Sequence, residues 1–90
     1  TGSNRMADYT VLLTRTAQKQ LDKLPESVAD TLLEAIELLA IDPRPDGCKK
    51  LKGRLGYRIR KGNYRILYDV QDAVLIVEVI AIGHRSAIYE

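Results

Sequence analysis

Eight cations and no carboxylate fall between Gly47 and Tyr68: Lys49, Lys50, Lys52, Arg54, Arg58, Arg60, Lys61 and Arg65. The 90-residue chain carries fourteen Lys and Arg against twelve Asp and Glu, a net charge of +2, so the remainder holds six cations against twelve acids. A local excess of that size attracts polyanions and steers them onto one face, which makes nucleic acid the first candidate ligand. Successive side chains on a strand point to opposite faces, so in Tyr57-Arg58-Ile59-Arg60 the two arginines share a side. Lys61-Gly62-Asn63 reads as a turn, and a hairpin there returns Arg65 to the same side. Guanidinium forks match phosphate oxygens in bidentate geometry. Three fixed cations repel one another unless a polyanion completes the site. The same pattern also serves a blander purpose, a charged outer face that keeps a sheet soluble and blunts edge pairing.

Lys49, Lys50, Lys52, Arg54 and Lys61 would widen such a nucleic-acid surface. Arg85 and Tyr89 follow the last apolar run and could fold over it, with Tyr89 offering a ring on which a base can stack. His84 is the sole imidazole and a candidate acid or base, although a structural histidine is the simpler reading. Cys48 is the sole cysteine, so no internal disulfide can form, which suits a reducing cytosol. One His and one Cys far apart supply no metal site. Gly53 and Gly56 lie outside the strand-to-helix context of a phosphate loop, and no serine-elbow motif is present.

These residues need elements to position them. Ninety residues make one domain, expected over 6–90, because Thr1–Arg5 before Met6 reads as an expression-tag remnant. A hydrophobic content of 46% with 29% charged residues is ordinary for a soluble globular protein. The apolar runs are too short to span a bilayer and no export leader is recognisable, so a cytoplasmic protein is expected. Asp8–Leu13 is rich in β-branched and aromatic residues and reads as a strand. Thr14 is a fit N-cap for a helix with Ala17, Leu21 and Leu24 at helical spacing. Pro25 breaks that helix and suits the first turn of a second, about Glu26 to Ala40. In the second helix Val28, Leu32, Ile36 and Leu39 form the buried stripe, with Asp30, Glu34 and Glu37 on the wet side. Asp42–Gly47 is a turn cluster, after which the period becomes two. Strands are expected around Tyr57–Arg60, Tyr64–Asp69 and Ala73–Gly83, the last two separated by a turn at Gln71-Asp72. The expected fold is α+β: an N-terminal strand, an αα-hairpin, then a three-stranded antiparallel meander, with the helices on one face of a single sheet.

Lys49-Lys50-Leu51-Lys52-Gly53 and the run from Gly56 to Tyr68 resemble the RelE branch of the RelE/ParE toxin superfamily. Gly83-His84-Arg85 and Ile88-Tyr89 resemble its ending. Leu21-Asp22-Lys23-Leu24-Pro25 and Asp42-Pro43-Arg44-Pro45 match its usual phrasing, so the likeness spans Met6 to Glu90. It implies a compact ribonuclease fold that cuts messenger RNA in the ribosomal decoding site. It also implies a cognate antitoxin that neutralises the toxin and whose DNA-binding part represses the operon, so that operator DNA is met only indirectly. By motif position the family's active site falls on Arg58, Arg60, Arg65, Arg85 and Tyr89, with no metal or cofactor. The first two positions are lysines in the best-known members. Arginine effectively cannot give up its proton, so Arg58 and Arg60 suit charge stabilisation rather than base chemistry.

The implied reaction is attack of a 2′-hydroxyl on the adjacent phosphate. The chain is rich in groups that stabilise charge on phosphorus and poor in acids and bases, which would make it depend on the ribosome for alignment. Two other classes share the fold: a ParE-like inhibitor of DNA gyrase, and a non-catalytic module that binds nucleic acid or a partner chain.

Overall fold

The computed structural model describes residues 8–51 and 56–84. The elements are β1 (Thr10–Leu13), α1 (Arg15–Asp22), α2 (Glu26–Ile41), β2 (Lys49–Lys50), β3 (Tyr57–Lys61), β4 (Tyr64–Gln71) and β5 (Ile76–His84). They build a five-stranded mixed sheet in the order β1-β5-β4-β3-β2. The expected meander is β3, β4 and β5, antiparallel throughout, and β1 closes one edge parallel to β5. Among the described residues no helix is long and apolar enough to cross a membrane.

Both helices lie on one face. Ala17 and Leu21 of α1 and Leu32, Ile36 and Leu39 of α2 join Ile59, Ile66, Tyr68, Val77, Val79 and Ile82 of the sheet in one core. Each fully buried large side chain there contributes about 1.5–3 kcal/mol of hydrophobic stabilisation. Val28, expected in the buried stripe, is only partly covered, while Asp30, Glu34 and Glu37 are exposed as expected.

Thr14 caps α1 by accepting from the Ala17 amide at 3.1 Å, and its hydroxyl donates to the Ile80 carbonyl at 2.8 Å. Ile80 marks an irregularity in β5: the register passes from Leu67 opposite Ala81 to Tyr68 opposite Val79, skipping Ile80. Strict alternation would put Glu78 on the same side as the buried Ile82. The bulge resets the parity, so Val77, Val79 and Ile82 all face the core and Glu78 turns outward.

Local details differ from the sequence reading: β1 starts at Thr10, α1 ends before Leu24, and β4 runs on through Gln71. Pro25 is the N-cap residue of α2 rather than part of its first turn. The last strand starts at Ile76, because Asp72–Leu75 is a turn in which Leu75 takes φ +57°. The pair Lys49–Lys50 adds a short edge strand against β3, too brief to show any period. The Gly62-Asn63 turn is as expected. Gly62 has φ +61° and Asn63 keeps a negative φ, the pattern of a II′ hairpin with glycine first.

Candidate nucleic-acid interface

The β3–β4 register sets the site. Arg60 stands opposite Arg65, Arg58 opposite Leu67, and Ile59 opposite Ile66. Ile59 and Ile66 are buried in the core, so Arg58, Arg60, Arg65 and Leu67 occupy the face away from the helices. Directly opposed residues have Cβ atoms about 4.5–5.5 Å apart, and like charges so placed are destabilising. The register therefore roots two cationic side chains directly opposite one another on this face.

This face is less open than the sequence implied. Arg60 is exposed and Arg65 half-buried, but Arg58 is only 5% exposed and Leu67 3%. Arg58 lies on an interior strand, flanked by Lys49 of β2 on one side and Leu67 on the other. The flank that β2 supplies is the part of the arrangement missing from the sequence reading.

The remaining cations divide. Lys49 opposes Arg58 and joins its face, whereas Lys50 opposes Tyr57 on the other; both are exposed. Lys61 opposes Tyr64 and lines two clefts against α2, about 290 and 400 Å³, one with Val28 and Thr31, the other with Glu34 and Leu38. It is directed away from the arginine row. His84 also opposes Tyr64, and their rings meet edge-on at 5.6 Å, on the side opposite Arg65. Lys52, Arg54, Arg85 and Tyr89 lie outside the described residues.

A second polar cluster escaped the sequence reading. Asp72 accepts from the Tyr9 hydroxyl at 2.6 Å and from Nη1 and Nη2 of Arg44 at 3.3 and 2.8 Å. Arg44 Nε donates to the Tyr57 hydroxyl at 3.0 Å, and its guanidinium lies 5.2 Å from that ring's centre. Hydrogen bonds from Arg44, then from Tyr9, hold the Asp72 carboxyl below the usual carboxylate range. The bond to Asp72 in turn raises the Tyr9 phenol. Nearby, the buried Tyr68 hydroxyl donates to the Pro43 carbonyl at 2.7 Å, and burial, followed by the neighbouring Cys48, pushes its pKa up. These contacts fasten the loop between α2 and β2 to the sheet, and so fix where the basic segment begins. The residues are up to 63 positions apart, beyond the reach of any local spacing.

Residues 11–89 match the family described as the ParE toxin of type II toxin–antitoxin systems, parDE. The chain belongs to that family. It is 36% identical to Toxin RelG of Mycobacterium tuberculosis over 84 residues, covering 90% of this chain and 95% of RelG. It is 37% identical to Toxin RelE of the same organism, covering 90% of this chain and 86% of RelE. In three dimensions it is similar to a chain of the M. tuberculosis toxin–antitoxin complex RelBE2, with a TM-score of 0.80, 31% identity, and coverage of 90% and 95% of the two chains. The RelE-like α+β fold expected from the sequence is thus the fold observed, and the chain is a toxin of the RelBE type.

Proposed function

We propose that this toxin is a ribosome-dependent endoribonuclease that cleaves translated messenger RNA and thereby arrests translation. The observation that carries the reading is the Arg60–Arg65 pair, held in register on the sheet face that the helices leave free, with Arg58 beside it. Two opposed forks can grip the non-bridging oxygens of one phosphate, and negative charge developing on phosphorus relieves the repulsion between them. Arg58, fixed by its burial, would steady the backbone of the RNA. Lys49 extends the cationic path along the same face, and Lys50, Lys52, Arg54 and Lys61 would meet the surrounding RNA and ribosome.

In the proposed step the 2′-oxygen forms a bond to phosphorus and the bond to the 5′-oxygen breaks. The 2′ proton is released and the leaving oxygen gains one, giving a 2′,3′-cyclic phosphate and a 5′-hydroxyl. The nucleophile belongs to the RNA itself, so the step requires no cofactor. Arg85 would stabilise negative charge on the leaving oxygen, which takes its proton from solvent because arginine effectively cannot give one up, and Tyr89 would stack on a base or accept the 2′ proton. His84 is not assigned a role, because its ring packs on Tyr64 away from the arginines. Arginine is a poor general base, so alignment must supply much of the rate, and the decoding site is where message is held aligned. The expected partners are a cognate antitoxin, the ribosome and its message, in the cytoplasm. Operator DNA would be met only through the antitoxin.

Primer extension on message from cells expressing the chain tests this. Codon-linked breaks that disappear in translation-blocked cells are expected; efficient cutting of free RNA by the purified chain would overturn the ribosome dependence. The match to a family described by its ParE member favours a second reading, inhibition of DNA gyrase by protein contact. Intact message together with damaged or relaxed DNA in the same cells would select it.

A further inference from the structure

The arginine-bearing face carries a second like-charged pair. Along β4 the residues sharing this face are Arg65, Leu67 and Asp69, successive ones about 7 Å apart. Asp69 stands opposite Glu78 of β5, and both are half-buried. The bulge at Ile80 is what turns Glu78 to this side, since Val77 and Val79 flank it in the core. Between the two pairs runs the rung that holds Leu67 and Ala81, uncharged on β4 and β5 and cationic at its other end, where Arg58 and Lys49 stand.

The charges are segregated rather than mixed. One cation and one acid opposed across each rung would give two favourable cross-strand pairs in place of two repulsive ones. A face built for solubility alone has no reason to forgo them. Asp69 is also held in place, since its Oδ1 accepts from the Val70 amide at 2.9 Å.

We infer that Asp69 and Glu78 are specificity-determining residues that fence the RNA backbone. They repel phosphates from the end of the face nearest the β4–β5 turn and confine the strand to the Arg58–Arg60–Arg65 end. The inference rests on the phosphate-binding reading of those arginines. Neither acid touches the substrate; each shapes the field in which the strand lies. The Asp69 row is within about one to two Debye lengths of the arginines at physiological salt, so the effect is strong in dilute salt and fades as salt rises.

The test is fluorescence anisotropy of the purified full chain with a short single-stranded RNA whose 2′-hydroxyls are methylated to prevent cleavage. The combined variant Asp69→Asn, Glu78→Gln is compared with Glu34→Gln, Glu37→Gln, which removes the same charge from the exposed side of α2. Fencing predicts roughly three- to tenfold tighter binding for the first variant at about 50 mM salt, little difference at about 300 mM, and a smaller effect of the α2 variant. Equal tightening by both would reduce the effect to net charge and overturn the inference. No tightening by the first variant, while Arg65→Ala weakens binding, would also overturn it and leave the phosphate reading standing. If Arg60→Ala and Arg65→Ala both bind as the parent does, the phosphate reading falls and the inference with it. Glu78→Gln alone provides the comparison if the combined variant melts early.

Discussion

Arg44 and Asp72, 28 positions apart, meet through two N–H···O contacts that join the loop after α2 to the β4–β5 turn. The pair is exposed, with side chains 41% and 56% accessible, so it acts as a latch between two turns rather than as part of the core. Its pH dependence follows from the direction of the Asp72 shift. Arg44 and Tyr9 hold that carboxyl below its ordinary value, so its stabilisation is present above the unfolded pKa of about 4 and is lost as pH falls through the lower folded value. The thermal midpoint of the wild-type chain should therefore fall more steeply below about pH 4 than that of Asp72→Asn. Parallel curves for the two proteins would show that the latch adds nothing.

Gly56 and Gly62 give a graded pair of backbone tests. Gly62 has φ +61° and open space where a Cβ would stand, so Gly62→Ala meets only the backbone preference and should cost about 1 kcal/mol. Gly56 has φ +118°, and a Cβ there would lie 2.9 Å from the Tyr68 carbonyl oxygen on the neighbouring strand. Gly56→Ala should cost about 2–4 kcal/mol, since backbone strain and a steric clash add. Urea unfolding of both variants checks the order.

Much of this was legible in the chain. Alternation of Tyr57 and Ile59 with Arg58 and Arg60, and a glycine turn at Gly62, were enough to bring Arg65 beside Arg60. The caps and stripes of the helices were equally visible because they depend on neighbours within a few residues. What was hidden depends on distant partners. The strand Lys49–Lys50 exists only because β3 pairs with it, and it places Lys49 beside Arg58. Ala73–Leu75 continues the apolar run of β5, yet Leu75 takes a left-handed conformation and the chain turns there instead. The facing of Glu78 was unreadable for a different reason: one skipped residue, Ile80, inverts the parity of everything on its N-terminal side of β5.

Thr14 joins that bulge to the first helix, since one hydroxyl accepts from the Ala17 amide and donates to the Ile80 carbonyl. Thr14→Ala removes both bonds and should destabilise the chain by about 1–2 kcal/mol. Thr14→Ser keeps the oxygen and should recover most of the loss. Chemical denaturation of the three proteins reads the difference; equal midpoints for the alanine and serine variants would remove the hydroxyl from the account.

Arg60 and Arg65 make the sharpest functional prediction, because stability and activity should move in different directions. Replacing Arg60, which is exposed and faces a like charge, relieves repulsion and should leave the melting temperature unchanged or slightly raised. The same change removes one of two forks from the proposed phosphate grip and should lower message cleavage about 100-fold, with Arg65→Ala comparable. Arg60→Lys retains the charge but not the planar fork, so its rate should lie between those of the parent and the alanine variant. The double variant should fall short of the summed losses, since opposed residues that share one phosphate are coupled. Cleavage rates on programmed ribosomes, measured beside thermal melts, test all four statements. Full activity in Arg60→Ala and Arg65→Ala, with both proteins folded, would remove the pair from the reaction and leave it a feature of the surface.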